Sequence, residues 1–470
     1  MRFALPLSLI AAAVLSGCAS VAVNDNFSEV QRFAREQTGS EVRWLRSDTE
    51  REAVGSEVDR LLAQPLQMED AVRIALGYSP GFQVLLAEAA TASADATQSG
   101  RIANPVFSFE HLYRSGGGER DLDIGRVLSV SLLDLLLLPA RLERAEYRQQ
   151  QTRLQASSAL LNTVTEVRQA WIDAVAARQV ARYREDVAMA TGTSAELARR
   201  MQATGNFSRL QRAREQALAA ESAAALIRAR QNATAAREAL VRRLGLTPVQ
   251  ATALNLPERL PELPKAPMDE GAAGKTLLEE RLDLRIARAD LERTAKDLGL
   301  TRVTSVVNGL HVSGVSNSET GKPTQRGFEV ELPLPLFDFG DASRAGGEAR
   351  YLAAFNRTVN VARNASSHVR TAYDAYRSAY DLARHYRDEI VPLRRNIVEE
   401  SVLQYNGMLI GVFDLLAEAR AQVTSSVQAI EAEGDFWRAE AALKASLLGQ
   451  PIAPLTLQSG ASPAEAGGGH

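Results

Sequence analysis

Few residues in this chain are equipped for covalent chemistry, and those that are lie far apart. The 470 residues include one cysteine, Cys18, and five histidines: His111, His311, His368, His385 and His470. A single thiol excludes an intrachain disulfide and a zinc–cysteine cluster. No two histidines in predicted helices stand four apart, the spacing of a metal pair on one helix face, and no Gly-x-Ser-x-Gly elbow occurs. Gly271-Ala272-Ala273-Gly274-Lys275-Thr276 suggests a phosphate loop, but the glycine required five residues before Gly274 is Asp269. The net charge of −3 provides no basic field for nucleic acid. The chain therefore reads as neither an enzyme nor a cofactor carrier. His111 and His311, both in predicted strands, are read as interface or lumen residues.

Cys18 is defined by its position. Met1-Arg2 is followed by an apolar run from Phe3 to Leu15, then Ser16-Gly17-Cys18-Ala19. A basic start, a short apolar run and small residues make residues 1–17 a secretory signal peptide. Leu15-Ser16-Gly17-Cys18 is similar to the lipobox of bacterial lipoproteins, in which cleavage leaves the cysteine as a lipid-bearing N-terminus. The resemblance makes Cys18 a lipidation site, and Ala19 in place of Asp implies sorting to the outer membrane.

The elements behind these residues are of two kinds. In Gly327–Leu336, Phe328, Val330, Leu332, Leu334 and Leu336 alternate with Glu329, Glu331, Pro333 and Pro335. That is the period of a strand with one apolar and one wet face, and the prolines belong where the chain leaves the sheet. Three more strands are predicted. Phe107, Phe109, His111 and Tyr113 alternate with Ser108, Glu110 and Leu112; Leu128, Val130 and Leu132 with Ser129 and Ser131; and Val306, Leu310 and Val312 with Ser305, His311 and Ser313. Gly-rich or polar loops are predicted at 114–123 and 316–325. The other kind is very long helices. One is predicted from Pro139 to Gln202, roughly 95 Å at 1.5 Å per residue. It carries Leu160, Val164, Val167, Trp171 and Ala174 at the four–three spacing of a coiled-coil seam. A second runs from Ala342 to Gln404 with Val369, Tyr373, Tyr376, Tyr380 and Ala383 at the same spacing. Each is followed by a turn and a returning helix.

The order repeats. Gly205-Asn206-Phe207 and Gly411-Val412-Phe413 begin similar decamers at one offset, 411 − 205 = 206. The chain divides into the signal peptide (1–17), a lipidated N-terminal segment (18–64), a first repeat (65–250), a Pro-rich linker (251–275), a second repeat (276–450) and a polar tail (451–470).

Leu332-Pro333-Leu334-Pro335-Leu336-Phe337-Asp338-Phe339-Gly340, with the repeated helix–strand–helix order, resembles the TolC-like outer-membrane factors. The resemblance spans about Pro65 to Gly449. It implies a mainly α fold with a transmembrane β-barrel and long α-helical coiled-coil hairpins that form a periplasmic tunnel. Four strands per protomer are too few to close a barrel, and an open edge in lipid leaves backbone groups unpaired. The implied assembly is a homotrimer with a twelve-stranded barrel, in contact with outer-membrane lipid. Phe328, Val330 and Leu332 would face lipid, and Glu329 and Glu331 the lumen. The implied function is the exit duct of a tripartite efflux pump, conducting small molecules or metal ions from periplasm to exterior, with a periplasmic adaptor protein and an inner-membrane pump of the RND type or similar as partners. A protein-secretion duct and a periplasmic scaffold are the alternatives. The turns carrying Gly205, Phe207, Gly407 and Gly411 are the implied adaptor-docking sites, and Asp414 and Phe413 the implied periplasmic gate. The substrate is not legible.

The lipid assignment has a direct check. Cys18→Ala should abolish labelling by a fatty-acid probe while assembled protein remains, because the strands also hold the membrane. Continued labelling would move the lipid elsewhere.

Overall fold

A computed structural model describes residues 23–116, 119–269, 281–305 and 309–450. The signal peptide, Cys18, Val306, the Gly271–Thr276 run, part of the Pro-rich linker and the tail lie outside the described residues. In order, the elements are α1 (Val23–Thr38), α2 (Asp48–Leu62), α3 (Met68–Tyr78), α4 (Pro80–Ser99), β1 (Val106–Gly116), β2 (Glu119–Ser131), the short α5 (Leu132–Leu136), α6 (Leu138–Ala203), α7 (Arg209–Leu244), α8 (Pro248–Ala253), α9 (Leu282–Thr304), β3 (His311–Glu319), β4 (Gln325–Glu331), α10 (Asp341–His385), a π-turn (Tyr386–Ile390), α11 (Val391–Asn406) and α12 (Val412–Leu447). No described helix is long and apolar enough to cross a membrane.

Contacts divide the chain into two compact units, each assembled from both halves of the sequence: residues 1–30, 86–156 and 284–362, and residues 31–85, 157–283 and 363–470. The first unit holds the sheet, antiparallel throughout, in the order β1-β2-β3-β4. Strand bounds differ from the alternation reading. β1 and β2 pair as far as Gly116 with Glu119, so most of the predicted 114–123 loop is ladder. Gly and charged residues do not alternate in hydropathy, yet their backbones pair as well as any others. β3 begins at His311 because α9 runs on to Thr304, and it extends to Glu319, into the predicted loop. β4 stops at Glu331, ahead of the first proline, which has no N–H to offer a ladder.

Also in the first unit, α1, α4 and α6 meet at a polar node. Asn26 donates to Ser93 Oγ at 2.6 Å and to Gln149, whose amide in turn donates to Ser93 O and Thr97 Oγ1, each at 2.8 Å. Buried amides without these partners would be costly.

The second unit is a helical core. The predicted seam of α6 is all buried: Leu160, Val164, Val167, Trp171 and Ala174 are each at most 2% exposed. On α10, Tyr376, Tyr380 and Ala383 pack with Phe436, Ala439, Leu443 and Leu447 of α12. Residues 254–268 are extended, as the prolines imply, but they are also tied down. Trp437 donates to Pro261 O, Tyr380 to Pro264 O and Tyr373 to Met268 O, at 3.0–3.1 Å, while Met268 N donates to Tyr376 Oη at 3.0 Å. Leu260 and Leu263 are buried. The aromatic seam thus has a second role, holding the strap by its hydroxyl and indole tips.

The second long helix is not continuous as the sequence suggested. It loosens into the π-turn just before Pro392. Proline lacks an N–H and crowds the carbonyl four residues back, and the i→i+5 bond from Val391 N to Tyr386 O widens the helix at that point.

Gly340, between β4 and α10, adopts φ +70°, and a Cβ there would lie 2.4 Å from Ser305 Cβ. Gly340→Ala should therefore lower stability by about 3 kcal/mol, combining left-handed strain and overlap. Gly327→Ala, with open space around it, should shift stability by less than about 0.5 kcal/mol. Thermal unfolding of the detergent-solubilised protein measures both.

Candidate functional site

Among the described residues, two regions contain the predicted site residues: the sheet, in the first unit, and the two helical turns, in the second.

The ladder register assigns each strand residue to a face. Gly125 sits opposite Glu110 and Asn317, and a Cβ on Gly125 would meet both side chains. Ser129 and Ser313 bond through their hydroxyls at 2.6 Å, and Ser313 pairs with Glu329. One face therefore carries Glu110, Asp121, Asp123, Glu319, Glu329 and Glu331. His311 shares it, paired with Glu331. The other face carries Phe107, Phe109, Tyr113, Leu128, Phe328 and Val330, all between 50% and 81% exposed. His111 lies on this aromatic face, 6.3 Å from the Phe109 ring and 4.6 Å from that of Tyr113. The glutamates and the phenylalanine of β4 thus point to opposite sides, and all of β4 is exposed.

The helical turns hold Gly205, Phe207, Gly407, Gly411, Phe413 and Asp414. In the first turn, Asn206 N donates back to Met201 O at 2.9 Å and Gly205 takes φ +81°. A left-handed residue closes such a helix end, and glycine does so without strain. Ser208 and Gln211 cap α7 reciprocally, at 2.9 and 3.1 Å. The Ser-x-x-Gln spacing is a capping-box signature that hydropathy alone passes over.

The second turn closes differently from the first, on a residue other than glycine. Leu409 N donates to Gln404 O at 2.8 Å, and the left-handed residue is Met408, φ 59°. Gly407 and Gly411 have φ of −79° and −78°, which any residue adopts, so neither glycine is required for the turn. From the left-handed residue to the phenylalanine there are two steps in the first turn (205 to 207) and five in the second (408 to 413), so the second is three residues longer. Met408 and Leu409 are 93% and 78% exposed.

The two turns meet. Phe207 and Phe413, the repeat-equivalent residues, stack with centroids 4.5 Å apart. Further along, Ser194 donates to Glu215 Oε2 at 2.6 Å, and Arg420 of α12 approaches the same carboxylate at 3.8 Å. Beside them an apolar cleft of about 200 Å³ opens between α6 and α12, lined by Val187, Ala190, Leu416 and Val423. Pattern reading had no means of finding Ser194, Glu215 and Arg420, since they converge from three helices. Asp414 is exposed and accepts from Gly411 N at 3.1 Å, capping α12; Glu418 pairs with Arg394 at 3.7 Å. On α6, hydrogen bonds from Arg199 and then Arg200 hold Glu196 down at about 2.

No family model matches the chain, and no curated protein matches it either. Solved structures do. The Campylobacter jejuni CmeC outer membrane channel superposes with a TM-score of 0.71 at 14% identity, over 81% of this chain and 85% of that one. The outer membrane protein VceC of Vibrio cholerae gives 0.67 at 15%, over 82% and 96%. The open-state MtrE outer membrane channel of Neisseria gonorrhoeae gives 0.66 at 16%, over 81% and 89%. The fold is that of the outer-membrane channel proteins. The mainly helical chain with a small sheet, expected from the sequence, is therefore the observed one.

Two outcomes follow at the turns. A double-mutant cycle of Phe207→Ala and Phe413→Ala in thermal unfolding should give a coupling of about 0.5–1.5 kcal/mol; simple additivity would mean the rings do not support each other. Met408→Gly should stabilise by about 1 kcal/mol by removing left-handed strain, and an unchanged or lower midpoint would count against that strain.

Proposed function

We propose that the chain is one subunit of an outer-membrane exit duct that serves a tripartite efflux pump. The observation that carries this reading is the sheet: four strands, one acidic face, one exposed aromatic face, and two edges that pair with no further strand among the described residues. A sheet of that kind in lipid must be completed, since each unpaired backbone group costs several kcal/mol. Three copies bring twelve strands, enough for a barrel. The aromatic face then meets lipid, and Glu329 and Glu331 line a water-filled lumen. The structural similarity to CusC, described for its transmembrane channel formation, and to the outer-membrane channel OprN supports the same reading.

The helical turns are the proposed meeting place with a periplasmic adaptor, through Gly205, Phe207, Gly407 and Gly411 and the exposed Met408 and Leu409. An inner-membrane pump of the RND type completes the proposed machine. Lipid on Cys18 anchors the N-terminus to the outer membrane. Asp414, exposed at the start of α12, is the proposed gate residue together with Phe413. Its bond to Gly411 N also gives Asp414 a capping role, so its replacement acts on both.

The test is reconstitution in planar bilayers. The wild-type protein should form cation-preferring channels. Glu329→Gln with Glu331→Gln should move the reversal potential toward that of an unselective pore while conductance persists, and Asp414→Ala should weaken block by multivalent cations. A protein that is extracted without detergent and forms no channel would remove the duct.

A further inference from the structure

Between α6, α9 and α10, within the first unit, lies a cleft of about 470 Å³ lined by Arg144, Arg293, Arg350 and Arg357 together with Asp290 and Asp297. Gly347 brings two of its walls together: a Cβ there would come within 3.0 Å of Leu298 Cδ1, so its absence lets α10 lie close against α9.

Both carboxylates are ion-paired. Arg293 bonds Asp290 Oδ1 and Asp297 Oδ2, each at 2.8 Å. Arg144 takes Asp297 Oδ1 at 2.6 Å, and Arg357 takes Asp290 Oδ2 at 3.0 Å. All four carboxylate oxygens thus face a guanidinium. The neighbouring acids are engaged as well: Glu143 pairs with Lys296 at 2.6 Å and Glu348 with Arg302 at 3.7 Å. Four guanidiniums against two carboxylates leave two positive charges, 4 − 2 = 2. Each guanidinium has five donors, so the cleft carries more N–H groups than the four carboxylate oxygens can accept. Asp290, Asp297 and Arg293 are 17%, 24% and 26% exposed, while Arg144 and Arg357 are 37% and 62% exposed and Arg350 is exposed too, so the surplus guanidinium edges face the cleft mouth, where an anion can reach them.

We propose that this cleft is an oxyanion site that takes a phosphate group. Planar guanidiniums match the oxygens of phosphate in pairs, which a lone ammonium does not. Two sources carry this chemistry: a phospholipid headgroup and free inorganic phosphate. The cleft lies near the strand ends in sequence, with Arg144 six residues into α6 (144 − 138) and α9 ending at Thr304. Leu136, Leu334 and Leu336, close to the ends of β2 and β4, are 65–69% exposed, an apolar surface that acyl chains fit. The site does not depend on the duct reading.

The experiment uses the full-length protein in detergent. Inorganic phosphate is titrated against chloride at matched ionic strength, with the unfolding midpoint as readout. In parallel, phosphatidylglycerol and phosphatidylcholine are offered in mixed micelles, and retained lipid is counted by native mass spectrometry. Arg350→Gln removes an exposed arginine that holds no carboxylate, so the fold should survive, and it should weaken the bound phosphate species roughly tenfold, the scale of one charged hydrogen bond. Arg357→Gln should act in the same direction. Stabilisation by inorganic phosphate assigns the free anion; retention of phosphatidylglycerol over phosphatidylcholine, without a phosphate effect, assigns the lipid. If neither probe binds beyond its control, or if both variants bind as the wild type does, the proposal is overturned.

Discussion

The constraint on which the rest depends is the pairing of backbone groups in a sheet with two open edges. Among the described residues, β2 and β3 are paired on both sides, while β1 and β4 each pair with a strand on one side only. Exposed edges invite other strands, and with an aromatic face beside them the sheet is unsuited to stand alone in water. The long helices, the repeated order and the two-sided strands make physical sense as parts of a larger closed structure. In the proposed duct one chain would supply a segment of wall rather than a whole vessel, with its function in faces and edges rather than in a pocket.

The helical unit solves a different problem: keeping long helices in register when each contributes only a narrow seam. Small residues and aromatics share that seam, and the aromatic tips reach out to fasten residues 254–268. At the turns the duplicated phenylalanines become partners to each other. A residue and its repeat-equivalent stacking face to face is what an internal near-symmetry allows, and the three extra residues in the second turn leave Met408 and Leu409 exposed there.

Charge is sorted in the same economical way. The sheet places its acids on one face with the aromatics on the other. The arginines among α6, α9 and α10 outnumber the carboxylates they hold. Exposed surface pairs of this kind add little stability, so a surplus of one sign in a half-buried cleft reads more readily as recognition than as structural support.

Much of this was legible in the sequence. Alternation in Phe328–Leu332 and Phe107–Tyr113 determined that strands exist and which residues share a face, because side chains in a strand alternate whatever the tertiary context. Four–three spacing at Leu160–Ala174 determined a buried seam for a similar reason. Strand ends were not legible, since backbone pairing at Arg114–Gly116 or Ser316–Glu319 needs a partner strand and not an apolar side chain. Only the tertiary structure decided that Met408, not Gly407 or Gly411, closes the second turn, because the left-handed position is set by where the helix ends. Only it, too, brought Glu215 to Arg420 and Arg144 to Asp297. Those residues are far apart in the chain, and their meeting is a property of how helices pack, which no local pattern encodes.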